Sequence, residues 1–214
     1  GYSLQPLIHS MTSDRYVNFL SHRKTTLYIG TNEGLYAYDY INNQSDLCSS
    51  LLKSKNIIAY QCNSDYQVVA TDREVFLFDY NWNFIHKITI YKEALNNHIT
   101  SMVIYGNQEV LLGTESGLVI IHIGNDGKTK TNTLYSGDKI VQLFIDSRKK
   151  LWICRGEEIL YSNIDTLDSV GISGFKHIAY NHEVISFFEY ANQVWVKIDN
   201  NKAKLSRTDA KFYV

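Results

Sequence analysis

Residues Tyr28 to Asp39 read YIGTNEGLYAYD, and residues Leu111 to His122 read LLGTESGLVIIH. Each is an apolar run, a Gly-Thr step, a short polar turn and a Gly-Leu that opens a second run. Three more stretches fall on the same frame: VVATDREVFLFD from Val68, WICRGEEILYSN from Trp152 and WVKIDNNKAKLS from Trp195. Successive starts lie 40, 43, 41 and 43 residues apart. Upstream of each copy is another apolar run, namely 16–20, 57–60, 99–104, 140–145 and 184–188. Two registers that agree at one period mark a repeat architecture.

The runs are about five residues long and rich in Val, Ile, Tyr, Phe and Thr, which suit a pleated, half-buried surface. Alternation with period two is clear in Leu35-Tyr36-Ala37-Tyr38-Asp39 and Val75-Phe76-Leu77-Phe78-Asp79. No long window carries helical periodicity. Asn32-Glu33-Gly34, Glu115-Ser116-Gly117 and Asn125-Asp126-Gly127 have hairpin-turn chemistry. A fourth, more variable run follows in some copies, as at 84–90 and 129–135. Four antiparallel strands repeated every 40 to 45 residues predict propeller blades, with the most apolar strand innermost.

Bulk composition is compatible with this and excludes several classes. The 214 residues are 44% hydrophobic and 20% charged, ordinary for a globular chain. A single proline suits a chain of paired strands. The formal net charge of −1 provides no basic field for nucleic acid or acidic membranes. No apolar run is long enough to span a bilayer, and no signal-peptide pattern is legible. Cys48, Cys62 and Cys154 lack metal-ligand spacing and read as small buried hydrophobes.

IGTNEGLYAYD and LLGTESGLVII resemble the two-component regulator propeller repeat. Its pattern runs Asp, a turn, apolar-Trp-apolar-Gly-Thr, two residues, Gly-Leu and an aromatic strand. Ile145 to Ile153, IDSRKKLWI, is similar to the front half of that pattern. The resemblance covers most of the chain unevenly. Copy two keeps Thr71 but has Glu74 for Gly, copy four has Cys154-Arg155 for Gly-Thr, and copy five keeps only Trp195. The resemblance implies the periplasmic sensor region of a hybrid two-component system from a glycan-degrading Gram-negative bacterium. It also implies a glycan ligand, another propeller or subunit as partner, and no catalysis. Such sensors generally carry longer propellers.

Loops entering the inner strand and turns between the second and third strands gather at one channel mouth. The candidate ligand-binding residues there are Asn32, Glu33, Asp72, Arg73, His98, Glu115, Arg155 and His182. Mixed charges with Asn and His suit hydrogen bonding to a sugar or peptide, although loop tips are polar wherever they are solvated. Trp152 and Trp195 hold equivalent positions inside strands and are expected to pack at blade joints. Trp82, in Asn81-Trp82-Asn83, is expected to be exposed and is the better stacking platform. Asn43-Gln44-Ser45 matches a glycosylation sequon, a pattern that arises often by chance.

No catalytic motif appears, the seven histidines are scattered singly, and no metal or other cofactor is indicated. Glu157 and Glu158 are neighbours on a strand-like run and point to opposite faces, so they cannot act on one bond.

The reading is therefore an all-β β-propeller, one domain over 1–214, with five four-stranded blades near 14–56, 57–97, 98–138, 139–182 and 183–214. Residues 3–8 can close a five-bladed ring as the outer strand of the last blade; otherwise the chain is an arc of a larger propeller. The expected function is a non-catalytic ligand-sensing or assembly module. A protein-interaction scaffold and a five-bladed carbohydrate-active enzyme are the alternatives, since a fold does not fix a function.

Overall fold

The computed structural model describes residues 16–90, 97–165, 167, 171–179, 184–198, 201–205 and 212–213. They form five four-stranded antiparallel sheets, each made of strands consecutive in sequence and neighbouring in space. Blade 1 holds β1 (Val17–Arg23), β2 (Thr26–Thr31), β3 (Gly34–Asp39) and β4 (Gln44–Leu47). Blade 2 holds β5 (Ile57–Cys62), β6 (Tyr66–Thr71), β7 (Glu74–Asp79) and β8 (Phe84–Thr89). Blade 3 holds β9 (Ile99–Tyr105), β10 (Glu109–Thr114), β11 (Gly117–Ile123) and β12 (Thr129–Ser136). Blade 4 holds β13 (Ile140–Ile145), β14 (Lys150–Arg155), β15 (Glu158–Asn163) and β16 (Lys176–Ala179). Blade 5 holds β17 (Val184–Tyr190), β18 (Gln193–Ile198), β19 (Asn201–Leu205) and β20 (Phe212–Tyr213). The architecture is a β-propeller. Residues 3–8 lie outside the described residues, and β20 holds the fourth position of blade 5, against Lys204 and Leu205.

The repeat extends to the irregularities. Each inner strand carries a bulge one residue past its first paired position, at Asn18, Ile58, Thr100, Val141 and Ile185. A bulge inserts one unpaired residue and increases local twist, which here bends every inner strand at the same level. It also fixes a common register. Val17, Ile57, Ile99, Ile140 and Val184 are equivalent, as are Leu20, Tyr60, Met102, Leu143 and Phe187.

Four core clusters correspond to the four joints between successive blades. Alternate residues of a central strand serve opposite neighbours. On β7, Val75 and Leu77 pack in the joint with blade 3, whereas Phe76 and Phe78 pack in the joint with blade 1. On β14, Leu151 and Ile153 face blade 3, while Trp152 and Cys154 face blade 5. A strand covered on both faces reads as a continuous apolar run, which is why the second strands of the repeats lack polar alternation.

The signature residues hold the turns. The hydroxyls of Thr31, Thr71 and Thr114 each donate to the carbonyl three residues on and accept from backbone N–H groups of the same turn. Asp146 performs the same task at the β13–β14 turn, where its carboxylate accepts from the amides of Arg148 and Lys150. Its second oxygen accepts from the Trp152 indole at 3.1 Å, so the Asp and Trp of the repeat pattern are directly bonded in this copy.

Where blade 2 has Glu74 in place of Gly, the side chain is paired with Lys55 and Lys87, both at 2.8 Å. The hydrogen bond from Lys55, then that from Lys87, holds the Glu74 carboxyl below its ordinary range. A depressed folded-state pKa contributes stability that is present at neutral pH and lost as pH falls through the carboxylate range. Glu74→Gln is accordingly expected to lower the melting temperature at neutral pH and to flatten its decline between about pH 5 and pH 3. A thermal melt at stepped pH reads both effects, and an unchanged acid limb contradicts the assignment.

Candidate functional site: the channel and its rim

The mouth residues expected to meet a ligand are largely engaged across blade joints. Asp72, on the β6–β7 turn of blade 2, lies 3.5 Å from His98 Nδ1 on the loop entering blade 3. Glu115, on the equivalent turn of blade 3, lies 3.6 Å from Lys139 on the loop entering blade 4. The Asp72 carbonyl also accepts from the Ile99 amide, at 2.7 Å. Arg73 reaches back to Asp72 at 3.9 Å. Asn32 closes the start of blade 1, its Oδ1 accepting from the Tyr16 amide and its own amide donating to the Tyr16 carbonyl. The Glu33 carbonyl accepts from Ser54 in the loop that leads to blade 2.

Arg155 is placed differently from the other candidates. It ends β14, at the position of Thr31, Thr71 and Thr114, rather than sitting at the turn tip. Its guanidinium donates to Glu158, lies 3.9 Å from Asp138 and covers the Tyr135 ring at 5.1 Å. The Glu158 hydrogen bond is the main reason its pKa rises further, and the fixed charge anchors blade 4 to the end of blade 3. His182 lies outside the described residues. The rim is thus a band of polar and charged contacts, and the exposed ion pairs among them are each worth at most about 1 kcal/mol.

The channel behind it has the opposite character. Inner strands of all five blades border one cavity of about 760 Å³. Its polar lining is Ser21, Gln61, Thr100, Ser101, Gln142 and Ser186; the remaining lining residues are apolar or aromatic, and none of the described ones is charged. Several of these groups bind backbone of the next inner strand. Gln142 Oε1 accepts from Phe187 N–H at 2.8 Å, and Ser101 Oγ accepts from Leu143 N–H at 2.9 Å. These are equivalent contacts one repeat apart. Blade 2 has Ala59 at that position, and Gln61, two residues along, accepts from Ile104 N–H instead. Asn18 and Thr100, both at the bulge, donate to the carbonyls of Ile57 and Ile140. The bulge frees backbone groups toward the channel, and buried ones need partners.

Sequence reasoning did not single out these joint residues. Their signal was a lone Asn, Gln, Thr or Ser inside each inner apolar run, at positions that become comparable only once the bulge register is known.

Trp82 corrects another expectation. It adopts φ +66°, and its ring turns inward against Phe78, Tyr60 and Tyr28, with centroids 5.3, 5.8 and 6.1 Å away. The chain therefore buries part of the indole in the joint of blades 1 and 2 rather than offering it to solvent, because aromatic area is worth more against aromatic neighbours. Cys48 and Cys62 border the same joint. Burial pushes the Cys48 thiol up to about 12, which keeps it protonated at neutral pH. Among the described residues, no group of three or more His, Cys, Asp or Glu is arranged to hold a metal ion. No described helix is long and apolar enough to cross a membrane.

Solved structures share this architecture. The extracellular domain of the hybrid two-component system BT4673 from B. thetaiotaomicron aligns with a TM-score of 0.66 at 14% identity, over 94% of this chain and 28% of that one. A catalytically inactive virginiamycin B lyase from Staphylococcus aureus with quinupristin aligns with a TM-score of 0.73 at 12% identity, over 95% of this chain and 71% of that one. BBS1N in complex with ARL6DN aligns with a TM-score of 0.64 at 14% identity, over 93% and 66% of the two chains. The chain spans little more than a quarter of the length of the BT4673 domain. No family model and no curated protein matches the sequence. At these identities the likeness is one of fold, shared by an extracellular domain of a two-component system, a lyase and BBS1N.

Proposed function

We propose that this chain is a non-catalytic binding module of a sensor acting outside the cytoplasm, in the periplasm, and that its ligand is a neutral glycan held at the central channel. The carrying observation is the channel lining: hydroxyl and amide groups from several blades, apolar and aromatic surface between them, and no charged described side chain. Desolvating a charged ligand there would cost several kcal/mol with no counter-charge in reach. A polyhydroxylated ring can satisfy both kinds of surface. The volume falls in the usual range for small-molecule sites.

Two observations weigh against chemistry at this site. No described carboxylate or imidazole lines the cavity, and the rim pair Asp72–His98 spans a joint. A proton-transfer role needs such groups within hydrogen-bond reach of a bound substrate.

The test is a thermal-shift screen of the chain against neutral and uronic-acid-containing oligosaccharides, with recovered sugar analysed by mass. Expected is stabilisation of a few degrees by a neutral class, with the sugar intact. Sugar consumed by the protein would instead establish the enzyme reading. Failure of every glycan to shift the melt would favour the scaffold reading.

A further inference from the structure

We propose, resting on the reading of the channel as a glycan site, that the glycan is N-acetylated. Its acetamido carbonyl accepts from the Met102 backbone amide, which the protein leaves without a side-chain cap.

Tyr60 and Met102 both line the cavity, yet they are at most 5% exposed and their side chains pack in blade joints. Their main chain therefore forms that part of the wall. Ile104 N–H points off the free edge of β9 to Gln61 Oε1, at 2.8 Å. Met102 lies two residues earlier on the same strand, so its N–H leaves by the same edge. Tyr60 holds the position of Met102 in blade 2.

In blades 4 and 5 the equivalent amides are capped from the preceding blade. Leu143 donates to Ser101 and Phe187 donates to Gln142. The same register puts Phe19 at the capping position for Tyr60, and Ala59 at that for Met102. Neither side chain can accept a hydrogen bond. Among the described residues, the Tyr60 and Met102 amides have no other acceptor beyond the ladder. Two successive caps are thus missing on one side of the channel, where amides shielded from water need partners.

The surroundings of this gap are apolar. Ala59 leaves open the volume that the Gln142 side chain fills at its own joint. The half-buried Phe19 ring lies across Gly30, its cross-strand partner, where an added Cβ would collide with it. The group that fits carries an acceptor oxygen beside a small apolar substituent. An acetamido group has both: its carbonyl takes the Met102 N–H, and its methyl packs against Ala59 and Phe19. The carbonyls of Tyr60 and Met102 leave the strands on the same side as their amides and offer acceptors for the acetamido N–H. A hydroxyl brings no apolar group to cover Ala59. A carboxylate would be desolvated with no counter-charge among the described lining residues.

The experiment titrates the chain with two neutral matched pairs, chitotetraose against cellotetraose and N-acetylgalactosamine against galactose. Within each pair the sugars differ only by acetamido or hydroxyl on the second ring carbon. Calorimetry reads affinity, and proton–nitrogen correlation spectra follow individual amides. In at least one pair the acetylated member is expected to bind about tenfold tighter or more, and to shift the Met102 amide and slow its exchange. Ala59→Ser installs the cap that Ser101 provides one blade later. It is expected to raise the melting temperature of the free chain and to cut the preference to about threefold or less. Equal binding within both pairs would overturn the inference and leave the glycan reading standing. So would a preference that leaves the Met102 amide unperturbed or survives Ala59→Ser. Binding by none of the four would overturn it as well, and the wider glycan screen then decides whether the channel reading falls with it.

Discussion

Trp152→Ala is expected to lower the unfolding free energy by about 3–5 kcal/mol, the range for emptying a large, well-packed aromatic site. Trp152 has no exposed surface and is among the largest buried side chains. Its ring stacks on Tyr161 at 5.1 Å and meets Phe187 of blade 5 at 6.4 Å, so deletion opens a cavity on both sides of the last joint. The indole N–H also donates to Asp146, a carboxylate only 4% exposed that organises the β13–β14 turn. Trp152→Phe keeps most of the packing but removes that donor, and is expected to cost about 1–3 kcal/mol. Urea unfolding followed by far-ultraviolet circular dichroism measures both. Stability in a repeat array is a sum of blade and joint terms, so Trp152→Ala should also split off an early transition from blade 5. A loss below about 1 kcal/mol would show that the joint of blades 4 and 5 is not packed around this ring.

Gly117→Ala should be the most damaging of the glycine substitutions, at roughly 2–4 kcal/mol. Gly117 has φ +131°, a conformation that L side chains rarely adopt, and an added Cβ would lie 2.0 Å from the Tyr135 carbonyl oxygen on β12. Because the neighbour is backbone, relief requires moving the whole outer strand away from β11. Gly156 offers the control. It has φ +57°, and a Cβ there meets nothing within 4 Å, so Gly156→Ala should cost only about 1 kcal/mol. Chemical denaturation of both variants decides the point. Equal costs would mean that the outer strand shifts without penalty, and the Gly of the Gly-Leu signature would then be a matter of φ alone.

Much of the fold was legible in the chain because a propeller repeats one local solution. The apolar runs of YIGTNEGLYAYD and LLGTESGLVIIH, the turn glycines and the spacing near 40 residues all follow from strand and hairpin physics that acts within a blade. The positions of the second and third strands therefore agreed between sequence and structure. Arg155 falls at the Thr position of the repeat in both sequence and structure; grouping it with the turn-tip residues overlooked that this position ends the strand.

The candidate site was less legible, since its geometry is made between blades. Asp72 and His98 are 26 positions apart in the chain, and nothing local states that they pair across a joint. Trp82 reads as a polar turn residue until the Tyr28–Tyr60 pair beneath it is known. The sequence by itself determined the strands, their hairpins and the five repeats of this chain, because each depends on residues within about 40 positions of one another. Only the tertiary structure decided which groups face the channel and which charges are engaged on the rim. Those depend on the equal bulges and on the stacking angle of neighbouring sheets, and packing between blades sets both.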